Sequence, residues 1–418
     1  MKLKKKICDQ SSNWNRSCVL LMATTFICLT GFDWPQFRGP GGQSVSSEKV
    51  PVKFTDTDSI AWKTDLPAKG ASGPIVIGNR VIVTCSGGDD QEQLYCCCLD
   101  GITGKLQWTQ KFWATGRTLC HPLSANAAPT PATDGKHIFA FYSSNDLACL
   151  DLEGNLIWFR GLAVDYPKAG NDVGMSASPV VKDGVVVVLV ESQGASFAMG
   201  LDVNNGKTLW TNEREKIGSW TSPVITSDNA HPQVVIQSPQ RMSVLDLKTG
   251  EVVNDFEGEG SSVPSPVIAD NLLISPLDGM TAYRCSGGKV EEIWSSPRIK
   301  PGSASGIVYQ DKVMALHRGG VLNIFNLSDG EPAGKVRVGG SHWATPVVAG
   351  EHMYFFAQDG TAKVVELSDD PRLCMNINSK TKYSSVRLRF PTVHSTFAAT
   401  NQSGKSRTKA GQRLNRLK

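Results

Sequence analysis

The stretch Leu201–Trp210, LDVNNGKTLW, reads as a tight turn leading into an apolar strand, and it recurs along the chain. LDGITGKLQW stands at 99–108, LDLEGNLIW at 150–158 and LDLKTGEVVN at 245–254. Each residue type has a physical role in this pattern. Asp100, Asp202 and Asp246 can accept hydrogen bonds from the turn's backbone through their side chains. Gly104, Gly206 and Gly250 supply the positive φ that closes the turn. Trp108, Trp158 and Trp210 follow the turn glycine by four residues and can bury a large ring against a neighbouring unit. Trp294 repeats that last step, and Trp62 stands in a similar run ahead of the first copy.

Working outward, each turn is preceded by an apolar run that opens on a proline, as in SGPIVIGNRVIV, SASPVVKDGVVVVLV, VPSPVIADNLLI and WATPVVAGEHMYFF. The anchors are Pro74, Pro129, Pro179, Pro223, Pro266, Gly306 in place of proline, and Pro346. Within a copy, three apolar runs and the tryptophan strand are separated by short turns, which describes a four-stranded antiparallel meander. A unit repeating at this spacing cannot hide both faces alone, whereas units packed in a ring can. The expected fold is all-β, a β-propeller of seven blades with eight as the alternative. The seventh copy breaks off before its fourth strand. Ser59–Leu66 (SIAWKTDL) is therefore expected to supply that strand, closing the ring from the N-terminus and covering an exposed edge.

The formal charge of +4 averages unlike segments. Residues 1–31 join a basic start to the apolar stretch Cys18–Thr30, which reads as a signal peptide or uncleaved signal anchor. Residues 32–58 form an N-terminal extension, 59–370 the propeller, and 371–418 a tail without a single Asp or Glu, expected to be disordered or a basic arm. The body between these basic ends is acidic. Nucleic-acid binding by the propeller is thereby excluded, since that affinity comes from clustered Lys and Arg. The expected location is periplasmic or otherwise extracytoplasmic. Membrane contact would come only through the N-terminal segment, and the chain would be a monomer.

Residues 60–367, through the LD-x-x-TG-x-x-W turns, resemble the quinoprotein-type propeller family. The sequence DWPQFRGP at 33–40 is similar to the opening of a group of bacterial exported proteins within it. The resemblance implies the fold strongly and the function weakly. The same repeat is found in quinone-dependent dehydrogenases, in a lipoprotein of the outer-membrane assembly machine, and in sensor domains.

Propeller geometry directs the search for chemistry to the channel mouth, where blade-to-blade connectors and middle loops share a face. Connectors supply His121, Asn126, Trp220, His342 and Trp343; middle loops supply Arg241, Asp278, His317 and Arg318. These are ligand-rim candidates, set against a structural reading in which small residues and wedged tryptophans serve packing. Cys96, Cys97 and Cys98 lie inside a strand, where neighbours face opposite ways, unlike the turn-borne spacing of a metal site. No catalytic residue and no metal ligand is assigned. The expected function is a non-catalytic scaffold that binds a protein or peptide in the cell envelope, with no cofactor. The alternative is a dehydrogenase using pyrroloquinoline quinone and calcium, or a small-molecule receptor, at the mouth.

Overall fold

The computed structural model describes residues 34–55 and 59–377. The expectations for an export signal, and for the tail beyond 377, lie outside these residues. Seven antiparallel sheets follow one another along the chain, each with its strands in sequence order. Blade 1 runs Ile75–Ile77, Arg80–Gly87, Gln93–Asp100 and Leu106–Trp113. Blades 2 to 7 start on the inner strands Ala132–Thr133, Val180–Lys182, Val224–Ile225, Val267–Ala269, Ile307–Tyr309 and Val347–Ala349. Among the described residues no helix is long and apolar enough to cross a membrane.

Burial follows position within a blade. Val185–Val190 (VVVVLV) is buried at every residue because sheets cover both its faces. The outermost strand Leu106–Trp113 alternates between exposed and partly covered residues, because water meets its outer side. Adjacent blades share apolar clusters, such as Ile82 and Cys96 with Ile138 and Tyr142 between blades 1 and 2, or Phe139 and Trp158 with Val188 between blades 2 and 3. Six of the seven interfaces are built this way.

Two relays of hydrogen bonds repeat around the ring. Near the axis, Gly73 N–H donates to Thr130 Oγ1, Thr130 N–H to Ser178 Oγ, Ser178 N–H to Ser222 Oγ, Ser222 N–H to Ser265 Oγ, Ser265 N–H to Ser305 Oγ, and Ser305 N–H to Thr345 Oγ1. Blades 2 to 7 thus each lend a hydroxyl to the backbone of the one before. Blade 2 holds its place in this belt with Thr130 ahead of Pro131, so its anchor is Pro131, two residues beyond the Pro129 read from the sequence. At the circumference, the tryptophans dock onto the next blade's turn. Trp62, Trp108, Trp158, Trp210 and Trp294 donate from Nε1 to the carbonyls of Gly101, Leu152, Val203, Leu247 and Leu327. Their rings cover Gly104, Gly154, Gly206, Gly250 and Gly330, all at positive φ. Asp100, Asp202 and Asp246 accept backbone N–H bonds within those turns. Blade 4 carries Asn254 in place of tryptophan, and there the blade 5 turn at Gly288 meets the ring of His231 and the side chain of Gln233 instead.

Ring closure departs from the sequence reading. The fourth strand of blade 7 is Arg372–Ile377, from the segment assigned to the tail, not Ser59–Leu66. An N-terminal strand does join the last blade, but it is Val45–Ser46, pairing parallel with Val347–Ala349 on the inner side. The segment around Trp62 forms no ladder strand. It packs with Leu66, Ala68 and Trp34 on the open face of blade 1, while Phe54, Val50 and Val52 cover the open face of blade 7. Where other blades pack sheet on sheet, the N-terminal extension is wedged between. Gly73 marks the same break, since it has no hydroxyl to offer blade 7.

Candidate functional site

The channel itself is threaded by Trp34–Ser46. Trp34 pairs antiparallel with Val76 of blade 1, Pro35 O accepts from Thr133 N–H of blade 2, Gly42 lies against Val224 of blade 4, Arg38 donates to Pro266 O of blade 5, and Ser44 O accepts from Val348 N–H of blade 7. One short segment can touch the innermost strands of five blades only along the ring axis. It runs antiparallel to blade 1's inner strand and then parallel to blade 7's, so it enters from the face where inner strands end, reverses, and leaves by the same face. The reversal uses Arg38, Gly39, Gly41, Gly42 and Ser44 at positive φ. Gly39 is required there: a Cβ would stand 2.6 Å from the Trp34 indole. Burial of the Arg38 guanidinium lowers its pKa to about 9, with the Phe37 ring 5.4 Å from Cζ; at neutral pH it keeps its charge. The sequence held this feature in DWPQFRGP but gave no sign of where the segment would lie.

Around the mouth, most candidates are spent on the fold. Asn126 is fully buried, bonding Gln91 O through Nδ2 and accepting from Ser144 N–H. Trp220 Nε1 donates to Gly174 O, latching two connectors. Arg241 pairs with Glu215 and Asp255, each at 3.3 Å. Asp278 Oδ1 and His317 Nδ1 accept from Glu259 N–H and Gly319 N–H, each capping a loop. His342 bonds Gly339 O through Nε2 and meets the Phe355 ring edge-on. His121 Nδ1 accepts from Leu123 N–H. Arg318 and Trp343 are exposed, Trp343 at 61%. Among the described residues no hydrogen bond or ion pair joins any two of these nine side chains. They ring the mouth without converging.

Two features of this face escaped the sequence reading. The first is a buried ion pair within blade 3 that is hydrogen-bonded to blade 4. Arg214 Nε lies 3.2 Å from Glu191 Oε1, and its other nitrogens donate to Ser243 and Ser238. Ser238 also donates to Glu191, and Asn171 Nδ2 donates to Glu191 O. Burial raises the Glu191 carboxyl above its ordinary value despite Arg214. Neither residue sits in a recognisable motif; only folding brings them together. The second is apolar and exposed: Leu123 at 68% and Val164 at 72%, with Leu119 and Val173. Their two connectors are held together by His121 N–H to Val173 O and by the Arg117–Asp172 pair at 2.8 Å.

A quinone with calcium would need a free carboxylate and amide at the mouth and room above the channel. The nearest arrangement, Glu191 with Asn171, has Oε1 held by Arg214 and Ser238 while Oε2 is buried without a hydrogen-bond partner, and the carboxylate charge that calcium would meet is already matched by the Arg214 guanidinium. Trp34–Ser46 fills the axis beneath, and among the described residues no three His, Cys, Asp or Glu side chains gather into a metal-binding group. The residues present do not fit that pair.

These observations define a seven-bladed propeller of quinoprotein-type repeats. The chain belongs to the family described as outer membrane protein assembly factor BamB, whose model matches residues 45–256. No curated protein matches it in sequence. Among solved structures it is similar to BamB from Moraxella catarrhalis (17% identity, TM-score 0.55, 75% of this chain and 86% of that one). It is also similar to a europium-containing methanol dehydrogenase (12%, 0.62, 86% and 88%). A third is the quinohemoprotein alcohol dehydrogenase from Comamonas testosteroni (11%, 0.63, 84% and 74%). At these identities the likeness is one of fold.

Proposed function

We propose that this protein is a binding scaffold of the cell envelope that holds a protein or peptide partner on its mouth face. The observation that carries this reading is the set of four exposed aliphatic residues, Leu119, Leu123, Val164 and Val173, on two connectors that are bonded to each other. Large exposed apolar residues on a rigid support cost solubility and mark interaction surfaces. The family supports the reading, since its description names an outer membrane assembly factor. Dehydrogenase chemistry has the weaker support: two such enzymes share the fold, but the carboxylate that stands beside an amide, Glu191, is ion-paired with Arg214, and the channel is filled.

The test is a photo-crosslinking residue placed at Leu123 or Val164 in the full chain, illuminated in intact envelopes. The exposed Lys248, on the opposite face, is the control position. Adducts of one discrete size from the first two positions and none from Lys248 are expected. No adduct, or equal adducts from all three, would overturn the reading.

A further inference from the structure

Arg38 brings a charge into the channel and meets no counter-charge there. The residue is 4% exposed, and of its three guanidinium nitrogens Nη2 donates to Pro266 O. Nε and Nη1 are buried without a hydrogen-bond partner. Among the described residues no ion pair joins Arg38 to a carboxylate. The two buried acids are engaged elsewhere, Asp146 with Thr115 and Ser144, and Glu191 with Arg214 and Ser238. The Phe37 ring, 5.4 Å from Cζ, offers a weak attraction in their place.

Such an arrangement is costly. An ion in a low-dielectric interior loses its hydration, which is why buried charges are paired. Proton loss does not relieve the cost, since burial lowers the pKa only to about 9. A buried water satisfies the two donors but leaves the charge unmatched. An anion satisfies both. Its size and charge are limited by the surroundings. Trp34–Ser46 touches five blades along the axis, and the two unpaired nitrogens have no opening to solvent. The ligand is therefore enclosed as the segment seats, which excludes a large organic acid. One negative charge matches the guanidinium, whereas a divalent oxyanion would bury an excess charge of its own. Gln36 adds a neutral donor nearby: a Cβ on Gly42 would stand 3.5 Å from Arg38 Nη2 and 3.8 Å from Gln36 Nε2, so the two side chains border one spot.

We propose that a small monovalent inorganic anion of the chloride class binds against Nε and Nη1 of Arg38 and pins the Trp34–Ser46 segment in the channel. The ion accepts a hydrogen bond from each nitrogen and neutralises the guanidinium. Seating of the segment, and with it the stability of the ring, then depends on anion concentration.

The purified full chain is melted in sodium gluconate, whose anion is too large for the site, as chloride replaces gluconate at constant ionic strength. The wild-type midpoint is expected to rise saturably, by roughly 3–6 °C once chloride is about a hundredfold above its dissociation constant. Arg38→Met keeps a buried apolar side chain without the charge, and its midpoint should not respond. Wild-type crystals grown in sodium bromide supply a second measurement that does not require the variant to fold. An anomalous peak within hydrogen-bonding distance of Arg38 Nε or Nη1 is expected. No peak there overturns the site, as does an equal chloride response in wild type and Arg38→Met, which is a general salt effect. A peak with a flat wild-type midpoint is an adventitious ion only, bound at crystal concentration, and overturns the structural role.

Discussion

Trp210 of blade 3 lies flat over Gly250 of blade 4, its Nε1 bonded 2.9 Å from Leu247 O, and the glycine is at φ 72°. The contact leaves no room for a side chain. A Cβ on Gly250 would stand 2.5 Å from the indole. Gly250→Ala is therefore expected to cost about 2–4 kcal/mol, combining overpacking with the left-handed backbone penalty. Gly184→Ala, at a similar positive φ but with open space, should cost only about 1 kcal/mol. Urea unfolding of the two variants checks the difference, and equal losses would mean that the docking contact contributes nothing.

The hydroxyl belt predicts a graded result. Ser222 Oγ is the acceptor for the buried Ser178 N–H at 2.9 Å. Ser222→Ala leaves that donor unpaired and should destabilise by about 1–3 kcal/mol. Ser222→Thr keeps the oxygen, as Thr130 and Thr345 do in blades 2 and 7, and should stay closer to wild type by the same measurement.

Glu191 and Arg214 form a buried pair, so removing one charge strands the other. Glu191→Gln is expected to destabilise by about 3–5 kcal/mol. The pH dependence has a defined sign. Burial raises the Glu191 carboxyl, so the folded state holds that proton more tightly than the unfolded chain does. That contribution is fully present below the ordinary carboxylate value and is lost as pH rises through the raised one. Stability measured across weakly acidic pH should therefore fall more with rising pH, or rise less, in wild type than in Glu191→Gln.

Trp34 anchors the channel segment through its bridge to Val76 and its ring on Gly39. Trp34→Ala removes a nearly buried indole and should cost about 3–5 kcal/mol. If the segment seats as a unit, amide exchange in Trp34–Ser46 will rise far more than in Val185–Val190. Uniform acceleration across both would show that the segment is not a separate element.

The repeat was legible because every part of it is local. Alternation and turn chemistry depend on residues a few positions apart, so the turn aspartates, the turn glycines, the tryptophans and the seven-blade ring could be read from the chain by itself. The candidates at the mouth were located by face, but sequence spacing carries nothing about their partners. Asn126 and Trp220 look like a ligand rim until Gln91 and Gly174 are seen to hold them. Closure, the channel segment and the Glu191–Arg214 pair were decided only in three dimensions. Closure and the channel segment depend on which distant segments a ring brings together, and the two segments eligible for one edge, Ser59–Leu66 and Arg372–Ile377, differ in packing that local pattern does not encode; the ion pair depends on how the middle loop and the connector of one blade meet.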